Sequence, residues 1–478
     1  KNIRSDMSEY REEVLNKLKV GSLTNLNESL NYSFGPQWVS WFKPNFSYNT
    51  NYTWNKPLNS VIDAANLNLV KNTAINLSIS PTEIIETFYT PLSKRQSKPS
   101  SRTRSRGLSS FNSEEDKDKE TQKDSPEKKN SSEINSLFLE RIYNESKKIE
   151  PLTLTITNNT NRLSNGIDGD VPLGYRLGLK DSHGLSSVSE VGLNTGNEDI
   201  KKSFTARSGI RFNPQTSLSI SFNESISSNI NGYSIDIRSI SRDYISFGNN
   251  LSKGFPFLNW SFRIGGLEKI SFIKPYVSSV SLEHAFSGKQ NLSWKFNEDG
   301  ITPINLFGIS SFEDDFNDSL QLSRVTRSFT PLIGISTSFK NGVSTNIRSN
   351  VTHTLDEVAT GLTYISDNSI LATITYNFSK GIRFELPFTD RNINLRNNMN
   401  ISLNFDFSNK KEEGSKDKIN FVEQNFSNTR KSVLRITYTL TDDVTGSLFY
   451  EYRENDTRLT GRRIDRDFGI NLNVAIRG

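Results

Sequence analysis

The sequence predicts an all-β protein: an antiparallel transmembrane β-barrel, with short helices and a disordered insert. Three observations carry that expectation. Segments in which large apolar residues alternate with small or polar ones recur on the order of twenty times. The charges within them keep to the polar phase. Mean hydropathy is only −0.56, without any run of about 18 apolar residues. That excludes a transmembrane helix but not a barrel, whose strands offer lipid only every second side chain.

The stretch from Phe468 to Ile476 shows the pattern at its plainest: every even position is large and apolar, every odd one small or polar. About nine to eleven such residues, tilted, cross a bilayer's hydrocarbon. The chain opens at Lys1 with no charged-then-apolar leader, as expected of a processed chain or a piece of something longer. It has no cysteine, so disulfides, thiolate metal sites and Cys nucleophiles are excluded.

In order, residues 1–92 should hold a short helix and the first barrel strands. Met7, Tyr10, Val14 and Leu18 have helical spacing. Trp38, Trp41 and Phe42 form an aromatic cluster that fits a membrane interface or a packed core. Phe46, Tyr48, Tyr52 and Trp54 then alternate with Ser47, Asn49, Asn51 and Thr53, as suits a strand between lipid and water. Residues 93–131 carry dense mixed charge and few apolar groups, which predicts a disordered insert. Residues 132–150 should return the chain to the sheet as a helix, with Ile134, Leu137, Phe138 and Ile142 on its apolar side.

Residues 151–478 should be barrel strands and loops. Representative apolar phases are Leu152/Leu154/Ile156, Tyr175/Leu177/Leu179, Tyr233/Ile235/Ile237, Leu258/Trp260/Phe262/Ile264, Leu292/Trp294/Phe296, Ile382/Phe384/Leu386 and Leu403/Phe405/Phe407. Asn341-Gly342 is a strong hairpin signal. Residues 409–431 and 453–467 read as long loops and residues 441–446 as a short turn. Long loops facing outside would leave Gly478 on the periplasmic side.

The phase rule assigns Phe46, Tyr48, Tyr52, Trp54, Trp260, Phe262, Leu403, Phe405, Ile470 and Leu472 to lipid. It assigns Arg207, Arg211, Arg263, Arg348, Arg383, Glu385, Asp406, Arg435 and Arg477 to a wet lumen, with Arg176, Asp236, Arg238, Glu283, Lys295, Glu451 and Arg453 in the same phase. A lipid-facing Arg or Lys at mid-bilayer costs roughly 2 to 4 kcal/mol, so a barrel must keep this phase. A soluble sandwich would keep it too, and only the number of segments favours closure into a barrel. His284 lies on the apolar phase near a strand end, where an interface would place it.

Chemistry is sparse. His183, His284 and His353 share no metal-ligand spacing, and no Walker loop, GxSxG elbow or dinucleotide fingerprint is present. The residues nominate no catalytic group and no cofactor. The net charge of +5, from 58 basic and 53 acidic residues, comes without a basic stripe interleaved with aromatics, so no nucleic-acid partner is expected.

Three stretches, FPFLNWSFRIGGLEKISFIKPYVSSVSLEHAFSGK (255–289), FTPLIGISTSFKNGVSTNIRSN (329–350) and GIRFELPFTDRNINLRNNMNISLNFDFS (381–408), resemble the SprA/Sov family. That family forms the outer-membrane translocon of the type 9 secretion and gliding-motility machinery. The resemblance covers residues 151–478 and has the order of the family's C-terminal portion. It implies that these strands are part of one very large barrel, and with it a bacterial outer-membrane location and a non-enzymatic, protein-conducting channel. Its partners would be the lipid bilayer, secreted cargo proteins with type 9 C-terminal signals, an outer-membrane shuttle barrel and a periplasmic plug protein. Two other readings stay open: another outer-membrane barrel, such as a TonB-dependent nutrient transporter or lipopolysaccharide-assembly barrel, and a secreted adhesive or structural β-protein.

Overall fold

The structure, a computed structural model, describes residues 23–56, 64–91, 131–186, 196–231, 235–248, 251, 253–296, 320–378, 382–385, 392–395, 398–441 and 443–475. The expected helix over residues 5–18, the charged insert as far as residue 130, and Arg477 lie outside the described residues.

Alternation produces strands, and the strands form one antiparallel sheet. β1 (Asn25–Phe34), β2 (Phe42–Asn55), β3 (Ala65–Ile79), β4 (Leu152–Ile167), β5 (Gly196–Asn213) and β6 (Thr216–Asn231) pair each with the next. β7 (Ile235–Phe247) and β9 (Asn259–Gly265) then share one rung. β7 lies beside the last half of β6 and β9 beside its first half, and β10 (Val277–Phe296) pairs with both. Between them β8 (Lys253–Pro256) folds back on β7. This detour presses the Tyr244 carbonyl onto β10 at Gly288, where an added Cβ would lie 1.8 Å from it, so only glycine fits.

The meander resumes through β11 (Leu320–Phe339), β12 (Val343–Val358) and β13 (Gly361–Phe378). It skips the hairpin of β14 (Ile382–Glu385) and β15 (Asn392–Leu395), which forms a separate two-stranded sheet. It ends with β16 (Met399–Ser415), β17 (Val422–Thr441), β18 (Val444–Thr457) and β19 (Gly461–Val474). The result is an all-β barrel wall, fifteen rungs wide among the described residues. No register joins β19 to β1 among the described residues.

The lower end of the wall holds the Asn213–Thr216 and Lys340–Gly342 turns. At the second of these Gly342 takes φ 90° and Asn341 Oδ1 accepts from the Val343 amide, the chemistry that the Asn-Gly pair predicts. Two helices also sit there: α1 (Pro81–Phe88), capped by the Ser80 hydroxyl and opened by Pro81, and α2 (Ser131–Ser146). Tyr89 and Tyr143 tie them together through Glu140 and Glu86. Where a helix was expected over residues 132–150, α2 runs from Ser131 to Ser146.

Several expectations need correction. Residues 409–431 and 453–467 are not long loops, because β16 and β17 leave only residues 416–421 between them, and β18 and β19 only 458–460. Their charged residues pair across strands, and the sheet runs on past the apolar segment. Tyr175, Leu177 and Leu179 form no strand: the chain makes a helical turn, α3 (Leu173–Arg176), and folds back over the wall. Arg383 and Glu385 lie on β14, outside the wall. His284 sits in the middle of β10, at a bulge between Glu283 and Phe286, and its Nδ1 is 2.7 Å from the Leu332 carbonyl oxygen.

Candidate functional site

The polar phase of the strands lines a concave surface. A cleft of about 940 Å³ takes its walls from seven consecutive rungs, from Arg211 on β5 to Thr375 on β13, so the sheet curves around this face. Its floor is almost entirely small and polar. The register places Ser279, Ser338, Ser344, Thr375 and Ser402 in one line across the wall, and Ser281, Ser336, Asn346, Thr373 and Asn404 in the next. Asn346 donates to Ser336 at 2.8 Å and Thr373 to Asn404 at 2.9 Å, which satisfies these groups within the surface.

Directly above them runs a single transverse row of charge: Arg211, Ser217, Arg263, Glu283, Gly334, Arg348, Leu371, Asp406, Lys431, Arg453 and Asp465, each the register partner of the next. Eight of these eleven positions are charged. Arg211 is held by Glu150 at 2.6 Å. Glu283 lies 3.9 Å from Arg263 and 3.1 Å from Arg348. Gly334 stands between Glu283 and Arg348 without a side chain, which is why that second pair can form. Lys431 and Arg453 both reach Glu451, the first at 3.1 Å. Arg435, one register line below Glu451 and Asn404, stacks over Phe449 at 5.7 Å. Arg207, Arg211, Arg263, Arg348, Asp406 and Arg435 therefore share the face on which the alternation put them. That most of them belong to or border one row was not readable from the sequence, because it depends on the bulges at Glu283–Phe286 and Phe329–Ile333.

The opposite face carries an apolar band. On β13 it runs from Ile370 to Phe378, on β16 from Met399 to Phe407. Both stretches have the nine to eleven residues that a hydrocarbon crossing needs. Phe46, Trp260, Phe262, Leu403, Phe405, Ile470 and Leu472 lie on this face. Its upper border is an aromatic run: Phe257 to Trp260 at 6.5 Å, Trp260 stacked on Phe286 at 4.2 Å, and Phe286 to Phe329 at 5.3 Å. The Tyr376–Phe378 pair stands toward its lower border. Phe42, at the start of β2, lies toward the same end, 5.9 Å from Trp41 just before it.

Above the upper border the same face is covered by the protein itself, and this overturns part of the lipid-facing assignment. Tyr52 is 1 % exposed, packed edge-on against Tyr175 in a cluster with Leu67, Leu69 and Ile167, and Trp54 packs on that cluster. The Tyr48 hydroxyl donates to the Leu177 carbonyl at 2.8 Å. The α3 segment that covers them is fastened by ions. Arg176 grips Glu28 on β1 with two nitrogens, and Asp181 receives Lys71 at 3.0 Å and Arg162 at 3.2 Å. These cations, Lys71 above all, hold the Asp181 carboxyl below its ordinary range. Burial beside Tyr175 pushes the His183 imidazole down.

Asp236 and Arg238 also depart from the expected phase. Their register partners put them on the same face as Ile226, Ile240, Leu292 and Trp294, where they form an ion pair at 2.6 Å with both side chains 7 % exposed. Ile237 points the other way and is 42 % exposed. The segment carries isoleucine at 235, 237 and 240, so apolar residues stand on both phases and alternation alone could not choose.

No helix among the described residues is long and apolar enough to cross a membrane. No group of metal-ligating side chains is found among them. No protein-family model matches the chain, and no curated protein matches it. Among solved structures it is similar to BauA, the ferric preacinetobactin receptor of Acinetobacter baumannii. The identity is 7 %, the TM-score 0.25, and the match covers 95 % of this chain and 74 % of that one.

Proposed function

We propose that this chain forms wall of an outer-membrane channel whose bore conducts protein, the function that its resemblance to the SprA/Sov family implies. The observation that supports it best is the pairing of faces. A transverse line of charge above rows of Ser, Thr and Asn occupies the concave side, and an apolar band of membrane thickness bordered by aromatics occupies the other. A surface of small hydroxyls and amides is well hydrated and offers a passing polypeptide no apolar foothold. Such a bore suits cargo that must move through without sticking. On this reading the upper end, with its strands extended beyond the band, is extracellular. The energy for transport comes from elsewhere, and cargo proteins, a shuttle barrel and a periplasmic plug are the partners.

The absence of native cysteine makes the test direct. Cysteine at Asn404 should react in intact membranes with a charged, membrane-impermeant maleimide, and cysteine at Leu403 should not. A bulky maleimide on the Asn404 cysteine should leave cargo bearing type 9 C-terminal signals in the periplasm. Labelling at 403 and protection at 404 would reverse the faces. Unhindered export with 404 fully labelled would leave a membrane barrel but remove the conducting role.

A further inference from the structure

We infer that the apolar face carries a binding groove for one phosphate-bearing membrane lipid, placed where its hydrocarbon meets its headgroup. This rests on the membrane reading of that face given above. The register row that bears the aromatic border continues past Phe329 as Val351, Asn368, Asn409 and Asn428. Aromatics thus give way to three consecutive carboxamides. One row lower stand Ile370, Phe407 and Arg430. A cavity of about 440 Å³ opens between these two rows, with Ile370 and Phe407 toward the band and the three asparagines with Arg430 at its rim.

That arrangement matches an amphiphile. Acyl chains would continue down the band from Phe407, and the amides and one guanidinium would meet the headgroup. Charge selects the headgroup class. The Arg430 side chain is 65 % exposed and lies a loose 4.0 Å from Glu454, a carboxylate already held by Arg462 at 2.8 Å. Arg430 therefore keeps donors to offer an incoming anion, and guanidinium with amide N–H groups is the donor set that phosphate oxygens accept. Asn409 donates to Asn428 at 2.7 Å, which orients those two carboxamides side by side at the mouth.

The experiment uses the full chain, reconstituted separately in vesicles of phosphatidylglycerol and of a neutral glycolipid. Lipid retained after mild detergent extraction is quantified by mass spectrometry. The wild type should retain phosphatidylglycerol and not the glycolipid. Arg430→Gln should lower retention by roughly tenfold, the worth of a charge-assisted hydrogen bond. Lys201→Gln, on the other face, should change nothing. Equal retention of both lipids, or retention indifferent to Arg430→Gln, would overturn the site. Maleimide labelling at 403 and 404 in the same vesicles separates that outcome from failure of the membrane reading, since a groove can be wrong while the faces hold.

Discussion

Two carboxylates in this wall, Asp236 and Glu283, show how place, more than chemistry, decides what a charge is worth. Asp236 and Arg238 are 2.6 Å apart with each side chain 7 % exposed, so removing one leaves the other in a medium that solvates it poorly. Asp236→Ala should cost ~3 kcal/mol in denaturant unfolding of the reconstituted protein, and Asp236→Asn, which keeps the bond to Ser228, should cost less. Glu283 makes pairs of the same kind with Arg263 and Arg348, but those side chains are 62 % and 48 % exposed to the wet face. Water screens them, and Glu283→Gln should cost under about 1 kcal/mol. If the two sites proved equally sensitive, the division of the wall into a packed collar and a wet bore would be wrong. The sequence could not separate these cases, because both acids stand in alternating segments with arginine nearby and differ only in which face the register gives them.

At the scale of elements, the α3 segment decides how the upper wall is closed off. It spans β1 to β4 on the outer face, with Arg176 on Glu28 at one end and Asp181 between Lys71 and Arg162 at the other. Because the folded carboxyl of Asp181 is depressed, its contribution is present above the unfolded pKa of about 3.9 and is lost as pH falls through the lower folded value. Residues 168–186 should therefore resist an acid-stable protease at pH 6 and become cleavable well below pH 4. Asp181→Asn should be cleaved at both. Protection that persists at low pH would place the fastening elsewhere, in the Tyr52–Tyr175 contact. Legibility follows the same division. Strands such as β13 and β16 were readable because their alternation is unbroken, and α2 because its apolar residues keep helical spacing. The α3 segment was misread as a strand because Tyr175, Leu177 and Leu179 alternate by chance, and its partners Tyr48 and Tyr52 were assigned to lipid in consequence. Nothing local in β2 shows that a distant segment covers it.

For the whole molecule the mechanics turn on the edge strands of the wall. Every interior rung is bonded on both sides, and β17 exchanges backbone hydrogen bonds with β16 and β18 along most of its length. Among the described residues β19 has β18 on one side and no partner on the other, and β1 has only β2. A strand with one row of unmet N–H and C=O groups is a template for another strand, and in hydrocarbon each unmet group costs several kcal/mol. The prediction is specific to geometry. In detergent, amide exchange along Arg462–Val474 should alternate between slow and fast from one residue to the next, since successive N–H groups point toward β18 and away from it. Along Leu434–Leu440 in β17 it should be slow throughout. Adding a partner strand to the edge should slow only the fast set. Uniform protection of β19 in the isolated chain would mean that a ladder already closes the wall there. The bore would then be closed by this chain's own strands.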